Sequence, residues 1–419
     1  MISLKNKSHK NIYFWLAGVL LFSVLFLGSW AIFGPINFRN FSAIVLFLIS
    51  LLYKKSFPGD KTVKTYFLWL VVYIMVNILS GNFANAEFIR GLLTYHLLSV
   101  FAIVVVPRLV NDAHSIHIVS LWILIFYILN SIFTILQFLN VSQAWSISTF
   151  ISPMSEVGND LLDNLNRVSD GYLGRSITPG LTGFVVSNGY FLTFLLPYVT
   201  KDFSSNEWKK RILSLFVLLL GIYAIFCTQQ RMAFYLSLLY MVYVLITKTN
   251  RSTKFILLFF MLFYFLFNSE LSFDSEKMGR LISFEDNIRS KTFDNFLIFM
   301  SDPMNVLFGM HEGGVGSNSE VMLLTMCHNS LLDSVRRGGL FLMVLTLILY
   351  FRMFSKCFKY ILDSRFHTST TISLCLSCCC FLIYSLTHST GLQSGSVECW
   401  LLYMLMLSSV NVERNIKIQ

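Results

Sequence analysis

The apolar positions of this chain fall in long unbroken runs. They show neither the strict alternation of a half-buried strand nor the three-four spacing of a helix with one wet face. Twelve runs can be read, at residues 12–33, 36–53, 65–81, 92–106, 116–140, 181–199, 211–227, 232–247, 255–268, 335–351, 370–387 and 395–411. A helix that crosses the hydrocarbon core needs about 20 predominantly apolar residues. The pattern therefore predicts an all-α polytopic integral membrane protein of about twelve transmembrane helices, residues 1–419 forming a single membrane domain. The second run carries Arg39 and Asn40 near its start, and the ninth loses definition at its outer end. The first run has no small-residue cleavage site followed by a soluble domain, so no cleaved signal peptide is expected.

Most polar connections are short, and two are long: residues 141–180 and 269–334. Loops of that length in a compact membrane protein are usually functional or disordered. In the second, Phe284, Ile288, Phe296, Leu297 and Met300 recur at helical spacing, with Glu285, Asp286, Arg289 and Lys291 between them. The spacing predicts an amphipathic helix lying on the membrane or on the helix bundle. Pro303 and Gly309 punctuate its end, and Gly313, Gly314 and Gly316 mark a flexible stretch. Ser330 and Asp333 have the spacing of a capping box at the start of the tenth span.

Composition agrees with the pattern. Hydrophobic residues make up 55% of the chain and charged residues only 13%, with a mean hydropathy of +0.65. That balance excludes a soluble enzyme, a disordered chain and a small disulfide scaffold. Continuous rather than alternating apolar runs exclude an outer-membrane barrel. Charge then sets the orientation. With the N-terminus in the cytoplasm and the spans alternating, 21 of the 32 basic residues and 6 of the 22 acids fall inside. The inner face carries +15 and the outer face −5. The basic character of the chain follows from the positive-inside rule and does not point to nucleic acid. Twelve crossings place both termini in the cytoplasm and both long loops outside. Of eight cysteines, Cys375, Cys378, Cys379 and Cys380 share one apolar span, where small soft side chains pack between helices.

Few residues stand out as candidates for chemistry. Arg231 ends the short outer turn Thr228-Gln229-Gln230-Arg231. A snorkelling anchor is one reading. The other is a phosphate contact, since an outer arginine runs against the charge bias and its planar fork suits phosphate. Arg175, Arg280 and Arg289 lie in the long loops, and residues 269–329 carry 9 acids and 4 bases. A phosphate site there has to be built from a few placed arginines. A lone loop histidine is more often incidental, but His328, followed by Asn329, stands where an interfacial helix is expected to begin, near headgroup depth, where a base or donor can meet a lipid-linked substrate. His311 and His388 are also expected outside. His96, inside the fourth span, needs a partner and is read as structural. Glu398, near the outer end of the last span, is read similarly. There is no P-loop, no dinucleotide-binding glycine motif and no zinc-protease helix motif, and Asp274-Ser275-Glu276 is too slight for a metal site. No nucleotide or metal cofactor is expected.

The long outer loop, the run from Pro303 to Gly309, and the segment from His328-Asn329 through Asp333 to Gly338-Gly339 resemble the O-antigen polymerase/ligase superfamily of bacterial envelopes. The turn Thr228 to Arg231 resembles its short threonine-to-arginine turn. Arg175, Gly180 and Asn188 resemble the run that leads into an inner span, and Arg289 stands where the family places an arginine before the proline-glycine step. The likeness covers the topology of the whole chain, and sequence motifs at about 175–190, 228–234 and 289–345.

The resemblance implies a glycosyltransferase of the bacterial inner membrane that uses an undecaprenyl-pyrophosphate-linked oligosaccharide and needs no cofactor. It implies that Arg231 and Arg289 hold the pyrophosphate, that Arg175, Arg280 and Asn329 assist in binding substrate, and that His328 orients or deprotonates the attacking hydroxyl. Implied partners are membrane lipids, a chain-length regulator and a flippase. A Wzy-type polymerase joins repeat units, whereas a ligase transfers finished polysaccharide to lipid A–core. Ligases often carry a second histidine before the His-Asn pair and a glutamate after it; here the residues are Cys327 and Ser330, which favours the polymerase. The Arg-x10-Gly loop motif of some polymerases is absent, since Val186 and Met300 stand at the glycine places. A twelve-span transporter or flippase remains open as another class. It predicts short loops on both sides and polar residues deep in several spans.

Overall fold

The computed structural model describes residues 15–16, 18–19, 21–23, 25–26, 31–33, 36–51, 59–79, 89, 92, 96–151, 178–182, 185–247, 294, 296–298, 300–309, 329–363, 369–387, 391–392 and 396–418. Its elements are helical apart from a two-stranded antiparallel ribbon, β1 (Ala31–Phe33) with β2 (Ile36–Asn37). The helices are α1 (Phe38–Leu51), α2 (Lys61–Leu79), α3 (Leu97–Leu109), α4 (Ala113–Phe138), α5 (Ser142–Ile151), α6 (Val185–Val199), α7 (Trp208–Cys227), α8 (Arg231–Thr247), α9 (Pro303–Phe308), α10 (Ser330–Leu362), α11 (Ser369–Ser385) and α12 (Val397–Ile418). Among the described residues, α2, α4, α7 and α10 are long and apolar enough to cross a membrane, and α1, α3, α8 and α11 contain shorter apolar stretches.

The helix starts have identifiable chemistry. Asp60 caps α2, its carboxylate accepting from the backbone N–H groups of Thr62 at 2.9 Å and Val63 at 3.3 Å. At α4 the cap is reciprocal. Asp112 accepts from the Ser115 N–H at 2.6 Å, and the Ser115 hydroxyl accepts from the Asp112 N–H at 3.2 Å. Between α3 and α4, burial raises the Asp112 carboxyl, but hydrogen bonds from Ser115 and the charge of His114 more than reverse this and hold it below its ordinary value.

Residues 1–42 and 117–284 form one compact unit, and 43–116 with 285–419 form another. In the first, α7 packs against α6 and α8, and α6 against α8. Its core is aromatic: Phe26 meets Phe126 edge-on with ring centroids 5.7 Å apart and lies 5.5 Å from Phe191. In the second, α12 packs against α3 and α11, and α10 against α2, α9 and α11. Here Tyr66 lies 4.5 Å from Trp400, and Trp69 stacks on Tyr73 at 5.1 Å.

Both units bury polar side chains among their apolar core and expose many large apolar ones, unlike a water-soluble protein. Ser99, Asn130, Ser131, Thr134 and Thr346 are fully buried, while Phe341, Leu347 and Phe351 of α10 are 64%, 52% and 71% exposed. Such faces suit hydrocarbon, with hydroxyl and amide side chains holding helices together within. The chain is in this coarse sense a helical membrane protein.

Several elements differ from the predicted runs. The expected span 12–33 ends in strand β1, and the expected outer loop 141–180 opens with helix α5. The tenth helix starts at Ser330 rather than near residue 335 and is interrupted at Gly338 (φ −171°, ψ 26°) and Gly339 (φ 72°, ψ −170°). The ninth predicted run, 255–268, lies outside the described residues.

Candidate functional site

In the first unit, two of the sequence motifs meet. Asn188 of α6 donates to the Thr178 carbonyl at 2.8 Å and to the Thr134 hydroxyl at 3.0 Å. Asn130 of α4 donates to the Asn188 side-chain oxygen at 2.8 Å and accepts from the Leu181 N–H at 2.8 Å. Gln137 accepts from the Gly180 N–H at 2.8 Å. These buried side chains replace the backbone partners that the non-helical stretch 178–182 lacks. Thr178 then donates to the Cys227 carbonyl at 3.0 Å, tying this stretch to the C-terminal end of α7.

Beyond Cys227 the chain reverses in a tight turn. Gln229 sits in the left-handed region at φ 56°, Thr228 is buried, and the Gln230 side chain lies against Gly189. Arg231 is the first residue of α8 and is half-buried. The turn expected to present Arg231 is thus present, and the amide network fixes its base.

The second unit holds the other motif. Asn329 is the N-cap of α10, its side-chain oxygen accepting from the N–H groups of Leu331 at 2.9 Å and Leu332 at 3.2 Å. The expected cap at Ser330 is displaced by one residue. Asn329 has the extended backbone a cap requires (φ −150°, ψ 124°), whereas Ser330 is already helical. The Ser330 hydroxyl instead accepts from Tyr350, and the Tyr350 oxygen lies 2.7 Å from the Ser385 hydroxyl. Trp69 donates to Thr346 at 2.8 Å, and Thr346 is 2.9 Å from Ser334. The N-terminal segment of α10 is thereby stitched to α2, α11 and its own continuation.

Asp333 is not part of a cap. Its carboxylate, fully buried, accepts from Arg336 Nε at 3.2 Å and Nη2 at 2.9 Å, and from Arg337 Nε at 2.7 Å. The Arg336 side chain is 5% exposed and that of Arg337 29%. Arg337 also hydrogen-bonds the Tyr73 hydroxyl, and its carbonyl lies 3.5 Å from the Asn77 amide. His96 is buried beside the same helix, 3.2 Å from the Tyr66 hydroxyl, and packs against Trp69 and Tyr73. That is the structural role expected of it. Glu398 accepts from the Ser396 hydroxyl at 2.9 Å.

The proline-glycine step docks on the break in α10. Asp302 caps the short helix α9 by accepting from the Met304 N–H at 2.9 Å, and Gly309 closes it at φ 79°. A Cβ on Gly309 would stand 2.6 Å from the Gly338 nitrogen, and one on Gly339 would overlap the Leu307 carbonyl. Only glycine allows this approach and these backbone angles. Upstream, Phe296 and Met300 pack on Leu332, Val335 and Met343, so this part of the predicted amphipathic segment lies on α10.

Of the residues singled out in the sequence, Arg231 and Asn329 are placed as above. His328, Arg289, Arg175 and Arg280 lie outside the described residues, as do His311 and His388. Arg336 and Arg337 were not singled out. Two adjacent arginines at the expected outer edge of an apolar span were the signal, since ionisable residues in such spans are costly and commonly functional. Among the described residues, no cluster of histidines, cysteines and acids is arranged to hold a metal. The described cysteines are free thiols. No known protein-family model matches the chain, and neither does any curated protein.

Proposed function

We propose that the chain is a Wzy-type polymerase that joins undecaprenyl-pyrophosphate-linked repeat units of a surface polysaccharide at the periplasmic face of the bacterial inner membrane. It has twelve spans, cytoplasmic termini and a large periplasmic loop at 269–334. The observation that carries this reading is the packing of the Pro303–Gly309 step against Gly338-Gly339, which lie downstream of the His328-Asn329 pair on the same helix that Asn329 caps. The Pro303–Gly309 step, Asn329 and Gly338-Gly339 belong to one built segment, and a broken helix in an apolar protein is tolerated where it is enclosed or lines a polar cavity. The second support is the amide network beneath the Thr228–Arg231 turn.

The chemistry follows from the donor. A sugar linked through pyrophosphate is already activated, so the protein has to supply positive charge for the leaving group and a base for the acceptor hydroxyl. Arg231 and Arg289 bear on the pyrophosphate, with Arg175 and Arg280 assisting, and His328 orients or deprotonates the hydroxyl. Asn329 fixes the start of α10 next to His328. The departing group is undecaprenyl pyrophosphate and the new bond is glycosidic. A chain-length regulator and a flippase are the expected partners.

Arg231→Ala, Arg289→Ala and His328→Ala test the assignment. Each is expected to abolish polymer or reduce it severely while the protein stays in the membrane. Arg231→Lys restores little, because charge remains but the bidentate fork is lost. Arg365→Ala, in the cytoplasmic segment, serves as control. Normal polymer from all three variants would refute the site.

A further inference from the structure

The Asp333–Arg336–Arg337 group is not balanced in charge. One carboxylate, fully buried, is shared by two guanidinium groups in ion pairs of 2.9 and 2.7 Å, leaving the group at +1. Burying charge is costly unless it is paired, and among the described residues the ion pairs of both arginines are with this one carboxylate. The two arginines are held differently. Arg336 is 5% exposed and gives Nε and Nη2 to Asp333, which occupies its fork. Arg337 gives Asp333 its Nε, hydrogen-bonds Tyr73, and keeps 29% of its side chain exposed.

The local backbone adds a second feature. The segment Ser330–Arg337 ends at the Gly338-Gly339 break, against which α9 is seated. The guanidinium of Arg337 is thus fixed by a carboxylate and a tyrosine, on a segment held at one end by the Asn329 cap and at the other by the docked proline-glycine step. An arginine so restrained has lost its rotamer freedom before any ligand arrives. An excess of one positive charge on a partly exposed arginine side chain suits an oxyanion of phosphate type, which accepts from arginine bidentately.

We propose that Arg337, oriented by Asp333 and Tyr73 and backed by the charge of Arg336, is a binding residue for a phosphate group of the lipid-linked substrate. This rests on the polymerase reading for the identity of the ligand, though not for the existence of the anion site. Asp333 is a positioning residue: it holds the guanidinium groups without meeting the ligand.

The test uses full-length protein in detergent micelles, with inorganic pyrophosphate as the probe. Phenylglyoxal modifies accessible arginines, and fragment mass spectrometry separates Arg337 from Arg336. Pyrophosphate is expected to slow modification of Arg337 about tenfold, the effect of a bound oxyanion covering its fork. Arg337→Lys is expected to weaken calorimetric binding of pyrophosphate about tenfold, and Arg337→Ala to abolish it. Equal modification of Arg337 with and without pyrophosphate overturns the proposal, and needs no variant to fold. A second arm places the protein in nanodiscs of phosphatidylglycerol or of phosphatidylcholine without pyrophosphate. Protection by phosphatidylglycerol equal to that by pyrophosphate would make the site a phospholipid anchor and overturn the proposal also. The polymerase reading fails separately. If Arg337 is protected by pyrophosphate in a protein whose loss leaves the polysaccharide unchanged, the oxyanion site stands and the polymerase assignment falls.

Discussion

Replacing Asp333 by alanine is expected to destabilise the second unit strongly. The carboxylate is fully buried and accepts three hydrogen bonds, at 3.2, 2.9 and 2.7 Å, from two arginines. Its removal leaves Arg336, 5% exposed, without the carboxylate that compensates its charge. Breaking a buried ion pair by deleting one partner costs about 3–5 kcal/mol, most of it the stranded charge. For a domain of roughly 150–250 residues, each kcal/mol moves the midpoint by about 2–4 °C, so the expected fall in Tm is on the order of 10 °C. Thermal unfolding in detergent, followed with a thiol-reactive fluorogenic dye, reads this directly. Cys357, Cys375, Cys378 and Cys399 are buried in this unit and become reactive as it opens. Asp333→Leu combined with Arg336→Met and Arg337→Met removes the charges together and is expected to recover most of the loss, since apolar replacement of a buried ionic group is often neutral. An Asp333→Ala midpoint within about 2 °C of wild type, given the slope above, would mean that water or another group, and not Asp333, compensates the arginines.

Other expectations follow from single contacts. Asn329→Ala removes the α10 cap and is expected to cost about 1 kcal/mol, while Asn329→Asp keeps the acceptor and most of the stability, as the same dye assay would report. Gly339→Ala forces a side chain into glycine-only backbone space and into the Leu307 carbonyl. It is expected to cost at least about 1–3 kcal/mol and to lower membrane yield, with Gly309→Ala similar. Single cysteines in a cysteine-free background are expected to react with an impermeant reagent in intact cells at 141–180 and 269–334. They are expected not to react at 54–64 and 352–366, and the reverse pattern would invert the topology.

The apolar helices were legible because a helix meant for hydrocarbon follows one simple rule, a long apolar run. Helices α2, α4, α7, α8 and α11 fall within a few residues of the predicted stretches for that reason. The Gly338-Gly339 break was not legible as a break. Two glycines followed by apolar residues do not lower hydropathy enough to interrupt a run, and what makes them necessary is α9, a partner far back in sequence. The spacing of Asp333 from Ser330 fits a capping box, while the extended backbone that makes Asn329 the cap is a feature of conformation that spacing does not carry. Arg231 was picked out by its sign against the charge bias, and the same logic applied to Arg336 and Arg337 finds them. The network of Asn130, Thr134, Gln137 and Asn188 joins elements up to 58 residues apart and leaves only scattered polar residues in the sequence.

The polymerase assignment stands or falls on the lipopolysaccharide of a strain that lacks this chain, resolved by gel electrophoresis. Each enzyme class handles a different lipid-linked species. Without a polymerase, single repeat units still cross the membrane and are still ligated, so the expected product is core carrying one repeat unit, restored to a full ladder by the wild-type gene. Bare core alone would rule out a polymerase: long chains stranded on undecaprenol would then identify a ligase, and single units trapped inside would identify a flippase.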